Sequence, residues 1–403
     1  MKKCTLISYS FSKGGAAIAA ANHRKIIQEL DYSVTSVSQD VSGSVQFFKR
    51  VISYLISKLQ CLLCLSKCSL NLFSYNPVLS SFRNRSDVYF IHWINNDTLS
   101  IFDFSKIPYG CILYLHDEWL FSGINHYNYS NSFKTGIFKS SLSLNYLIWR
   151  VKFNKLSSRT DLIYLAPSSW MLDRAKNSKI LSDKNIFLLP NPVDVDFFKK
   201  QSASECDSVK RSLDFDDDDF ILCFGAIKGS SNPYKGFNYL VDALELLVSQ
   251  YPEIYKERFR LVTFGGDSVC HTLFKNIKMY EFGRLDKSDL PMVYSLSDCL
   301  VSPSLFESFG QVVAEAMSCQ LPVVSFDQTG LDDLVLDGIT GLRANYLDSA
   351  DLATKIHQML TMSEVKRRDM GARARNHIVK CCAPSVIADL YKDVLKYAHS
   401  NKG

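Results

Sequence analysis

The sequence predicts an α/β protein built from two doubly wound halves. The chain has 403 residues, which is more than one hydrophobic core usually organises and suits two domains. Short, continuously apolar runs, typical of buried parallel strands, alternate with longer helical patterns. Several runs end in a glycine-containing turn that leads into the next helix, as in a βαβ unit. The strand-like runs span residues 4–9, 87–92, 111–116, 162–166, 186–189, 220–224, 259–264, 298–303 and 321–326.

The most informative unit spans residues 302–324, with the sequence SPSLFESFGQVVAEAMSCQLPVV. It leaves one strand-like run, makes a tight Ser/Gly turn, continues as a helical pattern and enters the next strand. Glu307 and Glu315 stand eight positions apart, a little over two helical turns, which predicts that both side chains lie near one helical face. The free amides of a helix start bind anions. A carboxylate at that position is better suited to a neutral partner such as a sugar hydroxyl.

Two features of the first half suggest a ligand at the carboxyl ends of its strands. Gly14 and Gly15 lie in the turn between the first strand and a helix of small residues, where glycine lets a phosphate approach the backbone. An ordinary βα turn explains them equally well. His92 and His116 each end a strand-like run, where a histidine is either structural or part of a site. His116 begins the segment HDEWLFSGINHY, which also contains His126.

The second half begins at the strand-like run 220–224, after a polar linker over 199–219. Lys235 precedes Gly236 and opens a helical pattern. A lysine at such a glycine-started helix can pair with a pyrophosphate as a point charge. A further helical pattern covers residues 286–296.

These motifs resemble those of family-4 glycosyltransferases. That resemblance implies retaining enzymes of the GT-B fold, with two Rossmann-like domains facing each other across a cleft. The E-x7-E pattern with S-F-G after the first glutamate is the most specific match. The H-D-x-W segment is similar to that of exopolysaccharide-type members. The matching segments follow the family's order over most of the chain: GG at 14–15, HDEW at 116–119, PNPVD at 190–194, KG at 235–236, TGLDD at 329–333 and DGITG at 337–341.

The resemblance implies a role for each matching residue. Glu307 is expected to contact the donor sugar, Glu315 the ribose of the nucleotide, and Lys235 the diphosphate. His116 is expected to join Glu307 and Lys235 in the catalytic site. The remaining donor-binding candidates are Gly14, Gly15, Ser308, Phe309, Gly310 and Gln311.

One position departs from the family pattern. Ala226 stands where an arginine commonly follows the strand glycine, and Lys228 is the nearest candidate to replace it. The sequence leaves open whether a second cation contacts the diphosphate.

The resemblance also divides the chain into domains. We expect an acceptor-side domain over residues 1–198 and a nucleotide-sugar-binding domain over residues 199–382. A final helix within residues 383–403 is expected to cross back to the first domain.

Composition bounds the possible partners. The net charge of +5 is a mild excess that does not indicate nucleic acid, although it favours anionic substrates or an anionic membrane surface. Met1-Lys2-Lys3 leads directly into the first strand, so we predict no signal peptide. The 12 cysteines are therefore expected as reduced thiols in a cytoplasmic protein. The sequence contains no uncharged apolar stretch of about 18 residues, so it predicts no membrane-spanning helix.

Two patterns that could bind a metal have a simpler explanation. Cys61, Cys64 and Cys68 have ligand-like spacing, but they lie in a leucine-rich helical run without a fourth ligand nearby. Buried thiols are the better interpretation. Asp194 and Asp196 form a D-x-D only within the segment that joins the halves. We therefore predict neither a metal nor another cofactor.

Residues 45–65 form an amphipathic helical pattern whose charges are all basic. Phe48 and Leu55 belong to its apolar side, and Lys49 and Arg50 to its polar side. Such a helix either lies on a membrane surface or packs with its apolar side on its own domain. Exopolysaccharide-type members of the family act on sugars carried by membrane-bound polyprenyl diphosphate. The resemblance therefore implies a lipid-linked acceptor and a peripheral position on the membrane.

We predict a retaining glycosyltransferase that moves a sugar from a nucleotide-sugar to a hydroxyl of a growing, lipid-linked bacterial surface polysaccharide. Two alternatives share the fold. A nucleotide-sugar epimerase is expected to lack the E-x7-E pattern with S-F-G, and a catalytically silent sugar-binding module is suggested only by the absent arginine. A structural interaction protein would not need His116, Lys235 and Glu307 together.

Overall fold

The computed structural model describes residues 1–40, 43–60, 68–84, 86–128, 134, 136, 143–226, 229–267, 269–274 and 277–400. They form two compact units, one comprising Met1–Pro192 with Ile387–Gly403 and the other Val193–Val386. The boundary predicted after residue 198 falls a few residues too late, because Val193 and Phe198 already pack in the core of the second unit.

The first unit contains a six-stranded sheet in the order β2-β1-β3-β4-β5-β6. All neighbouring strands are parallel. The strands are β1 (Lys2–Ile7), β2 (Tyr32–Val37), β3 (Val88–Ile91), β4 (Ile112–Tyr114), β5 (Ile163–Ala166) and β6 (Asn185–Leu188). The helices before the second unit are α1 (Gly15–Glu29), α2 (Ser44–Gln60), α3 (Asn76–Ser81), α4 (Leu144–Leu156) and α5 (Ser169–Lys176).

Both faces of this sheet are buried. In β3, Tyr89 and Ile91 belong to one hydrophobic cluster, whereas Val88 and Phe90 belong to the cluster on the opposite face. Successive side chains of a strand point to opposite faces. The double burial explains why the strands read as continuous apolar runs.

The second unit contains a seven-stranded sheet in the order β13-β12-β11-β7-β8-β10-β9. Its strands are β7 (Phe220–Gly225), β8 (Phe259–Phe264), β9 (Val269–Phe274), β10 (Ile277–Phe282), β11 (Cys299–Ser302), β12 (Val323–Phe326) and β13 (Gly341–Ala344). All neighbours are parallel except the edge strand β9, which is antiparallel to β10. The helices are α6 (Ala203–Ser212), α7 (Phe237–Gln250), α8 (Pro252–Glu257), α9 (Leu290–Leu296), α10 (Gln311–Ser318), α11 (Ser349–Thr361) and α12 (Glu364–Cys382).

The strand order of the second unit reverses between β7 and β11. The chain passes from β7 to β8 on one side and later returns to β11 on the other side, where Leu300 pairs with Cys223. At such a switch point the two following loops diverge and leave a crevice at the carboxyl ends of the strands. This is where open α/β sheets bind ligands.

One predicted helix begins later than expected, and the predicted final helix is present. The helix predicted over 286–296 begins only at Leu290, with Pro291 in its first turn, because proline has no amide hydrogen and is tolerated only at a helix start. The last helix, α13 (Pro384–Ser400), belongs to the first unit from Ile387 onward. Its side chains pack in the same cluster as Phe90.

Helix α2 is held to the first unit largely by polar side chains, with Ile56 also packed against the core. The Nε2 group of Gln46 donates to the main-chain oxygen of Asp97 over 2.7 Å, and the hydroxyl of Ser53 donates to Oδ1 of Asp97 over 3.0 Å. Phe48 and Leu55 are 64% and 55% exposed. The alternative in which these apolar side chains pack on their own domain therefore does not hold for Phe48 and Leu55. No described helix is long and apolar enough to cross a membrane.

Candidate functional site

The loops that follow β7 and β11 are held together at the switch point of the second sheet. Leu305 donates its amide to the oxygen of Tyr234 over 2.8 Å. Gly236 begins α7 with φ of 68°, and a Cβ at that position would lie 1.8 Å from the oxygen of Pro303. Only glycine fits this left-handed, closely packed position. Gly236 of the K-G pair therefore allows the two loops to pack closely against each other.

Lys235 and Glu307 form an ion pair between the Nζ group of the lysine and Oε2 of the glutamate. The two side chains are 27% and 15% exposed, so the pair is partly open to solvent. The main-chain oxygen of Glu307 also accepts the amide of Gly330 over 2.7 Å, which fixes the loop. The structure thus brings two of the three predicted catalytic residues together.

Glu307 lies in the loop before α10, not on the helix. The predicted common helical face with Glu315 is wrong, because α10 begins only at Gln311, after Gly310 with φ of 96°. Ala314 donates the first intrahelical bond back to Gly310. By helix geometry, the three preceding amides have no acceptor inside the helix and form a site for an anion.

The other residues of this turn divide between core and site. Phe309 is buried in the hydrophobic cluster of the second unit, so its side chain anchors the turn and only its backbone is available to a ligand. Ser308 precedes it in the same loop and is half-buried. The Nε2 group of Gln311 donates to Oε1 of Glu315 over 2.9 Å. Gln311 therefore orients the second glutamate.

Glu315 is a buried carboxyl group with an unusual pKa. Burial raises its pKa to about 7, against the opposing effects of the Gln311 amide and of Lys287. The hydroxyl of Tyr294 lies 3.5 Å from Oε2. This carboxyl group changes its charge near neutral pH, where it is either a donor or an acceptor of hydrogen bonds.

His116 follows β4 in the first unit and contacts His92, which follows the neighbouring strand β3. Nε2 of His116 lies 2.9 Å from Nδ1 of His92. The other nitrogen of His92 is buried and has no hydrogen-bond partner among the described residues. A buried N–H without an acceptor is costlier than an unused lone pair, so His92 donates and His116 accepts. This arrangement leaves the proton of His116 on Nδ1.

Both histidines are neutral at physiological pH. Burial lowers the pKa of His116 to about 4, and burial also lowers the pKa of His92 well below its usual value. His116 is therefore suited to hydrogen bonding with a hydroxyl rather than to holding an anion by charge.

The rest of the HDEW segment is structural. His126 is fully buried, with Nδ1 2.6 Å from Oδ2 of Asp117 and Nε2 2.9 Å from the hydroxyl of Ser69. Asp117 also accepts the indole N–H of Trp93 over 2.7 Å. Glu118 is fully buried in an ion pair with Arg174. Sequence reasoning missed both acids, although two acids inside an otherwise apolar segment were a usable signal.

Gly14 and Gly15 lie at the start of α1, at the carboxyl edge of the first sheet. Gly14 caps the helix, and a Cβ on either glycine would have no described atom within 4 Å. The backbone of this turn is therefore open to a ligand.

Several other candidates do not join the site or lie outside the described residues. Lys228 falls outside them, as do Cys61 and Cys64, while Ala226 is buried. Oδ1 of Asp194 accepts the amide of Phe197 over 3.0 Å, which is a turn contact. Within the described ranges, no three His, Cys, Asp or Glu side chains are grouped as metal ligands.

Comparisons with known proteins match the part of the chain that contains Lys235, Glu307 and Glu315. Residues 207–377 match the protein family described as "Glycosyl transferases group 1". An uncharacterized 41.2 kDa protein in the cps region of Klebsiella pneumoniae is 31% identical over 30% of this chain and 32% of its own length. The putative glycosyltransferase EpsD of Bacillus subtilis is 26% identical over 49% of this chain and 52% of its own length. The chain thus spans about a third to a half of these curated relatives.

Solved structures extend the similarity to both units. Anabaena Alr3699/HepE, crystallised with UDP and glucose, has a TM-score of 0.64 at 17% identity, covering 98% of this chain and 100% of that one. WaaG, a glycosyltransferase involved in lipopolysaccharide biosynthesis, has a TM-score of 0.64 at 13% identity, covering 96% and 99%. The fold is of the GT-B type, with two Rossmann-like domains.

Proposed function

We propose that this protein is a retaining glycosyltransferase that transfers a sugar from a nucleotide-sugar to a saccharide hydroxyl. The observation that carries the proposal is the meeting of Lys235, Glu307 and the start of α10 at the switch point of the second sheet. These residues lie inside the part of the chain that matches the group 1 glycosyl transferases. Retention rests on the E-x7-E motif with S-F-G.

The second unit is suited to bind the donor. The Nζ group of Lys235 and the free amides at the start of α10 offer positive charge and hydrogen bonds to the diphosphate. Preorganised donors of this kind contribute roughly 3 kcal/mol each to a leaving group that gains charge. Glu307 then accepts a hydroxyl of the sugar, and ionised Glu315 accepts the ribose hydroxyls. The departing phosphate takes the proton of the acceptor.

The first unit is assigned to the reacting sugar and the acceptor. His116 is neutral and has its proton on Nδ1, so it can donate to a hydroxyl without attracting a diphosphate. Gly14 and Gly15 offer an open backbone at the same edge of the sheet, where a phosphate can approach closely. No metal is required in this scheme, because a lysine and helix amides take its place.

We further propose a lipid-linked acceptor in the synthesis of a bacterial surface polysaccharide, reached from the cytoplasmic face of the membrane. The relatives from a cps region and EpsD support the polysaccharide part of this assignment. Helix α2 supports it independently, because it exposes Phe47, Phe48, Ile52 and Leu55 on one side. An apolar helix face with aromatic residues is suited to insertion into a lipid interface.

The membrane contact depends on these apolar side chains rather than on the basic ones. The Nζ group of Lys49 donates inward to the oxygen of Ser74 over 3.3 Å, and Arg50 contacts the hydroxyl of Tyr9 over 3.4 Å. In liposome flotation, the wild type should float with anionic vesicles, and a variant with Phe48→Ser and Leu55→Ser should remain in the bottom fraction. A wild type that never floats would remove the membrane proposal.

The donor proposal is tested with the purified protein and a panel of UDP-, GDP- and ADP-sugars, with sugar and lipid-linked acceptors. We expect consumption of one donor and formation of a glycosylated product. Conversion of the donor into an epimeric nucleotide-sugar without transfer would favour the epimerase. Tight donor binding without any turnover would favour the silent sugar-binding module.

A further inference from the structure

Helix α12 ends in two adjacent thiols that take no part in the site described above. Cys381 is half-buried and Cys382 is fully buried, with their sulfur atoms 3.3 Å apart. Their closeness does not by itself define a site. His377, one helical turn earlier on α12, adds the group that makes this cluster a candidate site.

His377 is oriented as a base for Cys381. Its Nε2 lies 2.7 Å from the main-chain oxygen of Asp333, and a carbonyl oxygen can only accept, so Nε2 carries the hydrogen. Nδ1 is therefore the nitrogen left to take a proton. His377 precedes Cys381 by four residues on the same helix, so the two side chains are neighbours on one face of α12. A thiol, a base and a group that orients the base are the elements of an activated nucleophile.

The titration of the cluster agrees with this geometry. Hydrogen bonds with Cys382 and then with His377 lower the pKa of Cys381 to about 5. The pKa of Cys382 is raised well above its usual value, because its thiol is the donor to Cys381 and because it is buried. The hydrogen bond with Cys381 raises the pKa of His377, with further help from the oxygen and the charge of Asp333.

We propose that Cys381 is a reactive thiol that hydrogen peroxide oxidises to a sulfenic acid, with His377 as its base. The Cys381 thiolate attacks one peroxide oxygen, so an S–O bond forms as the O–O bond breaks. The sulfur loses two electrons and the peroxide gains them. The hydroxide that leaves takes the proton held by His377 and departs as water.

The neighbouring Cys382 is not able to resolve this product while α12 is intact. Adjacent Cα atoms lie about 3.8 Å apart, whereas the Cα atoms of a disulfide usually lie about 4.4–6.8 Å apart. Cys382 supports the thiolate as a hydrogen-bond donor instead. The oxidised protein should therefore gain one oxygen atom at Cys381 rather than lose two hydrogen atoms from the pair.

Cys270 provides a matched control within the same unit. It is half-buried like Cys381, but its sulfur lies 2.7 Å from Oε2 of Glu281, and that hydrogen bond raises its pKa. The intact protein is treated with limiting hydrogen peroxide and a dimedone-type trap near neutral pH, and the adduct at each cysteine is measured by peptide mass spectrometry. Labelling of Cys381 should be at least about tenfold faster than that of Cys270. Equal rates, or a disulfide as the first product, would overturn the proposal.

The role of His377 is tested with His377→Gln, which keeps a donor for the Asp333 oxygen but removes the base. Alkylation of Cys381 should slow towards the rate of Cys270, and the midpoint of its pH profile should move to higher pH. If this variant does not fold, the pH profile of wild-type Cys381 alone decides, because a midpoint no lower than that of Cys270 contradicts the proposal.

Discussion

At the scale of single residues, the Lys235–Glu307 ion pair should matter more to turnover than to stability. Both side chains are partly exposed on loops, so their loss leaves the core of the second unit intact. Lys235→Ala and Glu307→Gln should each lower kcat/KM by about 100-fold or more, the scale of losing one preorganised donor to the transition state. The melting temperature should change little. Glu364→Gln, at an exposed position that pairs with Arg368, is the control. Full activity in either site variant would contradict the assignment.

Glu315 should make donor binding depend on pH near neutrality. Its pKa of about 7 means that the carboxylate, which we propose as the acceptor of the ribose hydroxyls, is progressively replaced by the acid as the pH falls. The donor KM should rise between about pH 8 and about pH 6, and Glu315→Gln should flatten this dependence. Steady-state kinetics on both proteins provide the measurement. Equal pH dependence in the two would assign the titration to another group.

At the scale of elements, the pattern of the sequence predicted α2 but not the side that it buries. Helical periodicity places Phe48 and Leu55 together, and the usual assumption is that such a side faces the core. The structure buries Gln46 and Ser53 instead, because Asp97, distant in sequence, supplies their acceptors. A pattern within one segment carries no information about polar partners from another.

The turn before α10 shows a similar limit. Residue spacing correctly indicated a strand, a Ser/Gly turn, a helix and a second strand, and it selected Glu307 and Lys235. It did not show that the helix starts after Gly310, which moves Glu307 into the loop and towards Lys235. Hydrogen bonds between distant segments, such as that from Gly330 to Glu307, decide this geometry.

Asp97 should hold α2 in place. Its Oδ1 accepts the hydroxyl of Ser53 and the amide of Phe73, over 3.0 and 3.1 Å. Asp97→Ala leaves both donors without their acceptor, which costs about 1–3 kcal/mol for each buried group. Hydrogen exchange should then increase in residues 44–56 while β1 and β3 stay protected. Unchanged exchange in α2 would show that other contacts fix the helix.

At the scale of the whole molecule, buried histidines should make the protein sensitive to mild acid. Burial lowers the pKa of His23 to about 3 and that of His116 to about 4, and it also lowers the pKa of His92 well below its usual value. As the pH falls, the unfolded chain binds these protons before the folded protein does. The contribution of the neutral histidines to the free energy of unfolding is therefore fully present above about pH 6.5. It is lost as the pH falls towards their pKa values in the folded protein.

Glu315 acts in the opposite direction. Its pKa is raised from the usual value, so its contribution is full below about pH 4.5 and is lost as the pH rises through about 7. The histidines should dominate because there are three of them. Urea unfolding should show a lower free energy at about pH 5 than at about pH 7.5, and His92→Leu should reduce this loss by on the order of 1 kcal/mol. A loss of the same size in His92→Leu would contradict the role of His92.

Transfer should not require a divalent cation. The described residues contain no grouped metal ligands, and Lys235 with the amides of α10 offers positive charge at the same place. Initial rates in excess chelator should equal those in buffer. A complete loss that Mg²⁺ or Mn²⁺ restores would return Asp194 and Asp196 to consideration as ligands.

We propose above all that the switch point of the second sheet binds the nucleotide-sugar. Hydrogen exchange with and without the donor found in the panel tests it most directly, because it needs no acceptor. We expect protection of the peptides around Lys235 and over residues 305–315, with protection weakened in Lys235→Ala. Protection confined to other parts of the chain, or equal protection in Lys235→Ala, would contradict it.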